Sequence, residues 1–402
     1  MSLTSLAGDV RRLPVPHLAA RPDQLDAVLR ELAQRFAQGA EQHDRDASFP
    51  FENFDWLQRH GLIAAVVPSA AGGGDASLAT TRRIVAAVAR GEASTALVLT
   101  MTYLTHRAVS RADSRWSPRL RDALFESAVA EGALANSLRV EPALGSPARG
   151  GLPDTVARRV GDGWQLSGHK LYTTGIPALR WLAVWARTDE PEPRLGIFLV
   201  PRESRGIQVV ESWDHLGLRA SGSHEALFDA VALPLDHAVD VRPVAEWAAG
   251  PDADQYAWMV ALLGALYDGI ARAAQAWLLR FLAERAPGSL GAPLATVPRV
   301  QQAVGEIEAL LWANDALLTG LVQATDAGTP PSATESGLVK YNVTGNAIRV
   351  VDLALQLSGN HGLSRRNPLE RHHRDVLCSR IHTPQNDSIL IGAGKLAFER
   401  AA

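Results

Sequence analysis

Residues 155–175, TVARRVGDGWQLSGHKLYTTG, decide the fold that this sequence predicts. They contain short segments around the turn Gly161-Asp162-Gly163, a pattern typical of a β-hairpin, at 155–160, 164–168 and 170–174. Further short segments with turns between them follow at 181–187, 195–200 and 207–211. A series of short strands over about a hundred residues indicates a β-barrel or a β-sandwich.

The sequence on both sides of this β region predicts helices. Near the N-terminus, apolar residues recur at the three- and four-residue steps of an amphipathic helix, at Leu25, Val28, Leu29, Leu32 and Phe36. A short helix that holds Trp56 and stops at Gly61 follows, and two more are predicted at 79–90 and 94–110. Beyond Pro243, long helical patterns with Pro and Gly breaks between them indicate an antiparallel bundle, at 252–285, 297–324, 334–357 and 387–400.

The order of these segments predicts an α+β fold in three parts. These are an N-terminal helical domain at 1–131, a middle β-barrel domain at 132–245 and a C-terminal four-helix bundle at 246–402. A chain of 402 residues exceeds the usual size of a single hydrophobic core, so two or three cooperating units are expected.

The composition is that of an ordinary globular protein, with 47% hydrophobic and 21% charged residues. The 40 basic and 43 acidic residues leave a net charge of −3, which provides no field for general binding to nucleic acid or to a membrane. A small molecule is therefore the expected partner. The sequence has no apolar run typical of a signal peptide or a membrane span, and its single cysteine, Cys378, forms no internal disulfide, so a cytoplasmic location is expected.

Five short motifs follow one another along the chain: GL, VP and GG within 61–73, NSLRVEPALGS at 136–146, GHKLYTTG at 168–175, LGLRASGS at 216–223 and QLSGNHG at 356–362. In sequence, order and spacing they resemble the motifs of the acyl-CoA dehydrogenase superfamily, over about residues 22–400. The resemblance implies a flavoprotein oxidoreductase with FMN or FAD as its cofactor. It also implies a homotetramer or homodimer with the flavin at the subunit contact.

The same resemblance implies which residues hold the flavin. Tyr172, Thr173 and Thr174 would lie against its ring, with Ser137 close by. A second group would lie near the phosphate or adenylate of a flavin carried by a neighbouring subunit: Arg285, Gln356, Gly359 and Asn360. From residue type alone, Thr174 is equally a β-favouring strand residue and Gly359 equally a helix end.

The general base of an acyl-CoA dehydrogenase is missing from its expected places. Removal of the α-proton of an acyl thioester needs a carboxylate. The family commonly places a Glu nine residues beyond the Arg of an Arg-Asp pair, and counting from Arg374 leads to Thr383. The alternative family position, on the first bundle helix, falls near Met259. Neither residue carries an acid.

The segment around these positions instead reads Arg374-Asp375-Val376 and then Ile381-His382-Thr383-Pro384. It resembles the R-D-V and [LI]-H-x-P segments of the flavin-dependent monooxygenase branch of the superfamily, the dibenzothiophene monooxygenase-like group. That resemblance implies a reduced flavin delivered by a separate flavin reductase, and a C4a-peroxyflavin that attacks a small organic substrate. It implies catalytic roles for His382, Asn136 and Thr174. A histidine suits proton transfer near neutral pH because its ordinary pKa is about 6.5.

Other interpretations stay open at this point. His382 is equally a surface or helix-capping histidine by residue type, and the chain is alternatively a dehydrogenase with a relocated base or a non-catalytic flavin-binding or acyl-binding paralogue. The acids to weigh as bases are Asp387, Asp268 and Glu141. Three residues are expected as substrate-pocket walls or else as core: Met101, Tyr103 and Trp213. No metal site is predicted, because His361 and the His372-His373 pair lack carboxylates at ligand spacing.

Overall fold

The computed structural model describes residues 22–144, 151–247 and 252–401 of the chain. Gly145 and Ser146, the end of the second motif, lie outside the described residues. The described part has helices, then a β-sheet, then helices again, so the predicted order of the three parts and the α+β class are confirmed.

The N-terminal part contains five helices, α1 to α5, at Pro22–Asp46, Phe51–Arg59, Leu78–Gly91, Ala93–Ser110 and Pro118–Glu131. The sequence interpretation missed α5, although its ends carry ordinary signals. The Ser117 side chain accepts a hydrogen bond from the Leu120 amide, Pro118 occupies the first turn, and Gly132 ends the helix in the left-handed conformation.

Eight strands, β1 to β8, form one sheet, at Leu134–Leu138, Val156–Val160, Gly163–Lys170, Leu179–Thr188, Arg194–Pro201, Ile207–Val210, Glu225–Pro234 and Ala238–Pro243. The hydrogen-bonded order is β6-β7-β3-β2-β4-β5-β8, with β1 paired to β4. β1 and β2 are both parallel partners of β4, at different points along it, and β5 is its antiparallel partner. The predicted middle β-domain is therefore confirmed, and among the described residues its strand order runs from β6 at one end to β8 at the other.

The hairpin that opened the sequence argument is present, with Val160 opposite Gly163 and Gly161 at φ +53° in the turn. The prediction of a separate strand at 170–174 was wrong. β3 continues without a break to Lys170, and the chain then turns at Tyr172, which has φ +54°. A side chain in the left-handed region is incompatible with a continuing strand, so residues 171–174 form a turn at its end.

The C-terminal part contains helices α6 to α11, at Ala253–Glu284, Pro298–Asp326, Ala333–Ser358, Asn360–Leu363, Leu369–Leu377 and Asn386–Ala401. α6, α7 and α8 pack against one another, and α10 and α11 pack on α8. The four predicted helices are present, and the sequence interpretation missed α9 and α10. By length and composition α6 is apolar enough to cross a membrane, but 83% of its most apolar window is buried inside the fold, as in a core helix.

One hydrophobic core joins the three parts, with members in α1, in the sheet and in α6. α6 and α3 approach closely: a Cβ on Gly269 would lie 2.7 Å from the carbonyl oxygen of Ala86.

Candidate functional site

The turn at 171–175 is held against β1 and the loop of residues 211–224, which connects β6 to β7. The Asn136 side-chain amide donates to the carbonyl oxygen of Thr174 at 2.9 Å. The Thr174 hydroxyl bonds the hydroxyl of Ser223 at 2.9 Å, and the Thr173 amide donates to the His224 carbonyl at 3.0 Å. The structure therefore brings together the predicted residues Asn136, Thr173 and Thr174.

Three rings form an aromatic wall beside this turn. Tyr172 is half exposed, and its ring meets Trp213 and His215 edge to face, with centroids 6.3 and 5.8 Å away. Trp213 and His215 are stacked, with centroids 3.7 Å apart and planes 13° from parallel. The Trp213 indole donates to the Leu218 carbonyl at 3.1 Å, which fixes its orientation. The predicted residues Tyr172 and Trp213 thus lie side by side.

The loop 211–224 is seated on α10 by close backbone contact. A Cβ on Gly217 would lie 2.4 Å from the Arg374 carbonyl oxygen, so only glycine fits there. The Leu218 amide donates to the Asp375 carboxyl at 2.6 Å. Arg374 in turn binds both carboxylate oxygens of Asp44 on α1. The loop therefore links the Thr174 turn to the bundle.

The Asp375 contact leads to a stability prediction. Burial raises the pKa of Asp375 to about 7, above the unfolded value of about 3.9, so its stabilising contribution is present in acid and is lost as pH rises through 7. Asp375→Asn keeps an acceptor for the Leu218 amide and cannot ionise. We expect its urea-unfolding stability relative to wild type to be higher at pH 8 than at pH 5. Asp375→Ala cannot ionise either but lacks the acceptor, so it should be about 1–3 kcal/mol less stable than Asp375→Asn at both pH values. Equal losses in the two variants would contradict the role of this hydrogen bond.

His382 lies between α10 and α11 and is partly buried. Its Nδ1 is 2.5 Å from the hydroxyl of Tyr267, a fully buried residue of α6. Burial, and then the nearby charge of Lys340, lower the pKa of His382 to about 4, so the imidazole is neutral at pH 7. Its ordered position distinguishes it from the surface histidine that residue type alone allowed.

The acids weighed as alternative bases have other partners. Glu141 is fully buried and accepts from the Lys170 ammonium at 2.5 Å. Asp268 is buried in α6 and accepts from Arg272 at 2.6 Å. Asp387 lies in the first turn of α11. Thr383, where the counting placed a base, is exposed.

Two of the remaining predictions concern α4 and one concerns β1. Tyr103 is fully enclosed in the core and its hydroxyl donates to the Leu62 carbonyl at 2.5 Å, which is the core alternative of the two expected for it. Met101 is partly buried and packs on the same core. Ser137 is partly buried, and its hydroxyl accepts from Arg139 at 3.0 Å.

The second predicted flavin-binding group lies at the far end of the bundle. Its four members are exposed: Arg285, Gln356, Gly359 and Asn360. Phe281 of α6 contacts His361 of α9 there, with ring centroids 5.2 Å apart. Since Tyr267 and Phe281 are 14 positions apart on one helix, the two ends are separated by about 21 Å. One chain therefore does not bring this group to His382, and its role stays a prediction.

Sequence reasoning missed Tyr267 and Lys340. Lys340 is fully buried on α8, and its ammonium donates to three backbone carbonyls, of Ser379, His382 and Pro384. A signal was present, because Lys340 occupies the same helical face as buried Gly337, Val343 and Ala347. Tyr267 lies in an apolar run of α6 and has no such signal.

Comparison with known proteins identifies relatives over nearly the whole chain. Profiles of three acyl-CoA dehydrogenase domains match: the N-terminal domain at 22–114, the middle domain at 139–231 and the C-terminal domain at 261–386.

The individual relatives include a putative acyl-CoA dehydrogenase and an amino sugar nitrososynthase. The putative acyl-CoA dehydrogenase YdbM of Bacillus subtilis is 32% identical over 92% of this chain and 95% of its own length. The amino sugar nitrososynthase DnmZ of Streptomyces peucetius is 30% identical over 86% of this chain and 85% of its own. The structure of KijD3 with FMN and a dTDP-linked amino keto sugar superposes with a TM-score of 0.81 at 27% identity, covering 96% of this chain and 94% of KijD3.

Proposed function

Since the chain belongs to the acyl-CoA dehydrogenase family, we propose that it is a flavoprotein of that family working as a two-component monooxygenase on a small organic substrate. A separate reductase would supply the reduced flavin, FMN or FAD. We place the protein in the cytoplasm as a homotetramer or homodimer. The observation that carries the proposal concerns the place where a dehydrogenase base is expected. No carboxylate occupies position 383, and the neighbouring His382, whose Nδ1 bonds Tyr267, is a side chain able to take part in proton transfer or hydrogen bonding.

The residues beside β1 fit a flavin ring. A flavin needs hydrogen-bonding groups at its pyrimidine edge and N5, and a packed face for its ring. β1 pairs with β4, and the Ser137 amide on β1 donates to the Asn136 side-chain oxygen at 2.7 Å. Ser137 and Thr174 are partly buried residues that carry hydroxyls, and the Asn136 side-chain amide bonds the Thr174 carbonyl. We propose that the flavin ring binds beside these groups and the aromatic wall.

The residues of the chain have distinct tasks in this proposal. Ser137, Thr173 and Thr174 hold the flavin, and Tyr172 with Trp213 shapes the adjoining substrate space. When bound, the reduced flavin supplies the electrons that activate dioxygen for transfer of one oxygen atom. The Asn136 side-chain amide orients Thr174 by donating to its carbonyl at 2.9 Å, and His382 would donate a hydrogen bond to the transferred oxygen.

A relocated dehydrogenase base is the second candidate, and the identity with YdbM favours it. Against it, Glu141 and Asp268 are buried in ion pairs, and Asp375 is 4% exposed and bound to the Leu218 amide. A carboxylate held in this way has no free access to the α-carbon of a thioester. These contacts support the monooxygenase.

Two measurements on one flavin-loaded preparation separate the candidates. Protein loaded with photoreduced FMN or FAD is mixed with oxygenated buffer, and a transient absorbance unlike that of either oxidised or reduced flavin is expected. The oxidised protein is also mixed anaerobically with saturated acyl-CoAs, and no bleaching is expected. Bleaching without the transient would establish the dehydrogenase instead. Failure to take up either flavin would leave the non-catalytic paralogue.

A further inference from the structure

Resting on the proposed function, we propose that Tyr267 and Lys340 are positioning residues that make His382 a hydrogen-bond donor through Nε2. Tyr267 selects the tautomer of the imidazole, and Lys340 fixes the backbone that carries it. Neither residue belongs to the motifs that identified the family, and both act from inside the bundle.

Tyr267 determines which ring nitrogen carries the proton. Its hydroxyl lies 2.5 Å from Nδ1 of His382, and the residue is fully buried. Burial raises the pKa of Tyr267 well above its usual 10, so the phenol keeps its proton. Among the described residues the Tyr267 hydroxyl has no other hydrogen-bond partner, so we assign its proton to the bond with Nδ1. Nδ1 is then the acceptor, and the single proton of the neutral imidazole lies on Nε2.

Lys340 holds the main chain around His382. Its ammonium donates to the carbonyls of Ser379, His382 and Pro384 at 3.1, 2.8 and 2.7 Å. Three bonds use all three donors of an ammonium, so no partner carboxylate is required for hydrogen bonding. Since the Lys340 side chain is fully buried, these bonds connect α8 to the segment between α10 and α11 and define the place from which the imidazole projects.

The two contacts assign the chemistry of His382. The positive charge of Lys340 beside the ring disfavours an imidazolium, and the hydrogen bond to Tyr267 occupies Nδ1. The neutral ring therefore carries its proton on Nε2 and has no lone pair at that nitrogen to act as a base. This arrangement stabilises negative charge on an oxygen by a hydrogen bond, and the proton stays on the imidazole.

The tautomer can be measured without flavin or substrate. The full-length protein is labelled with ¹⁵N-histidine, and the His382 signals among its 12 histidines are identified by their loss in His382→Gln. We expect a pyrrole-like shift for Nε2 and a pyridine-like shift for Nδ1. In Tyr267→Phe the two shifts should move toward each other as both tautomers become populated. Tyr103→Phe, which also removes a buried phenol, should leave them unchanged. A protonated Nδ1 in wild type, or unchanged shifts in Tyr267→Phe, would overturn the proposal.

Lys340 is tested by a pair of variants. Lys340→Met should give several His382 conformations, seen as multiple or broadened ring signals, and Lys340→Arg should restore a single set because it can still donate to the carbonyls. A single unchanged set in a folded Lys340→Met variant would overturn the role of Lys340.

In turnover, Tyr267→Phe should lower kcat by about 10²-fold with KM unchanged. Should the monooxygenase reaction itself be absent, the ring signals still decide the tautomer, so the two failures are distinguishable.

Discussion

Replacing His382 by glutamine is expected to lower the rate of substrate oxygenation by about 10² to 10⁴-fold, the usual contribution of a positioned proton-transfer or hydrogen-bonding group. Glutamine approximates the size of the ring but cannot reproduce both the Nδ1 contact to Tyr267 and the proposed N–H donor at Nε2. Flavin binding should be retained, because the proposed flavin contacts come from β1 and the 171–175 turn. Oxygenated product is measured with reduced flavin supplied by a reductase, alongside a flavin titration.

The matched control is His60→Gln. His60 is a half-buried histidine that caps α2 and stacks on Trp56, and this change should leave the rate unaltered. A His382→Gln variant that binds flavin and forms product at the wild-type rate would refute the catalytic role of His382. Loss of flavin binding together with activity would show that His382 acts on the cofactor site as a whole.

Glu141→Gln is expected to cost about 3–5 kcal/mol of folding stability, because it leaves the Lys170 charge buried without its partner. Both side chains of the pair are at most 1% exposed, and Glu141 also accepts from the Asp154 and Thr155 amides. Glutamine keeps an oxygen for these amides, so the main loss is the charge. Chemical unfolding at pH 7 gives the free energy of unfolding.

Two further variants test the cause. The double variant Glu141→Gln/Lys170→Met should recover much of the loss, because it removes both charges. Asp189→Asn breaks the exposed pair with Arg158, whose side chains are 66% and 43% exposed, and should change stability by less than about 1 kcal/mol. A Glu141→Gln loss as small as that of Asp189→Asn would show that the buried pair is dispensable. Since Lys170 directly precedes the 171–175 turn, a destabilised variant should also bind flavin more weakly.

Much of the fold was predictable because its signals are local. The periodic apolar residues from Leu25 to Phe36 predicted α1. The turn Gly161-Asp162-Gly163 predicted the β2–β3 hairpin. The end of β3 was missed because the left-handed conformation of Tyr172 has no sequence signal of its own in a non-glycine residue. The order of the strands was not predictable either. β1 and β2 each pair with β4, and these pairings join residues that are far apart in the chain.

The residues of the candidate site were likewise predictable only where a local sequence motif marks them. Asn136 and Thr174 were named from the motifs that resemble the family, and Trp213 as a pocket wall or core residue; the structure brings Asn136 to the Thr174 turn and Trp213 to the ring of Tyr172. The two neighbours of His382 were not found, since Tyr267 lies 115 positions from it and Lys340 lies 42 positions from it. Contacts at such separations depend on how α6, α8 and α10 pack, which no local pattern reports.

The attachment of the loop 211–224 to α10 limits which of its residues can vary if the loop borders the substrate, as proposed. Gly217 is fixed by its close contact with the Arg374 backbone and Leu218 by the bond from its amide to the Asp375 carboxyl, whereas Trp213 and His215 present their rings from the same loop. If the proposed substrate space lies beside these rings, we expect divergent or engineered forms to exchange residues 213 and 215 for a differently shaped molecule while residues 217 and 218 stay unchanged. Under that proposal, different residues of this loop determine substrate preference and attachment to α10.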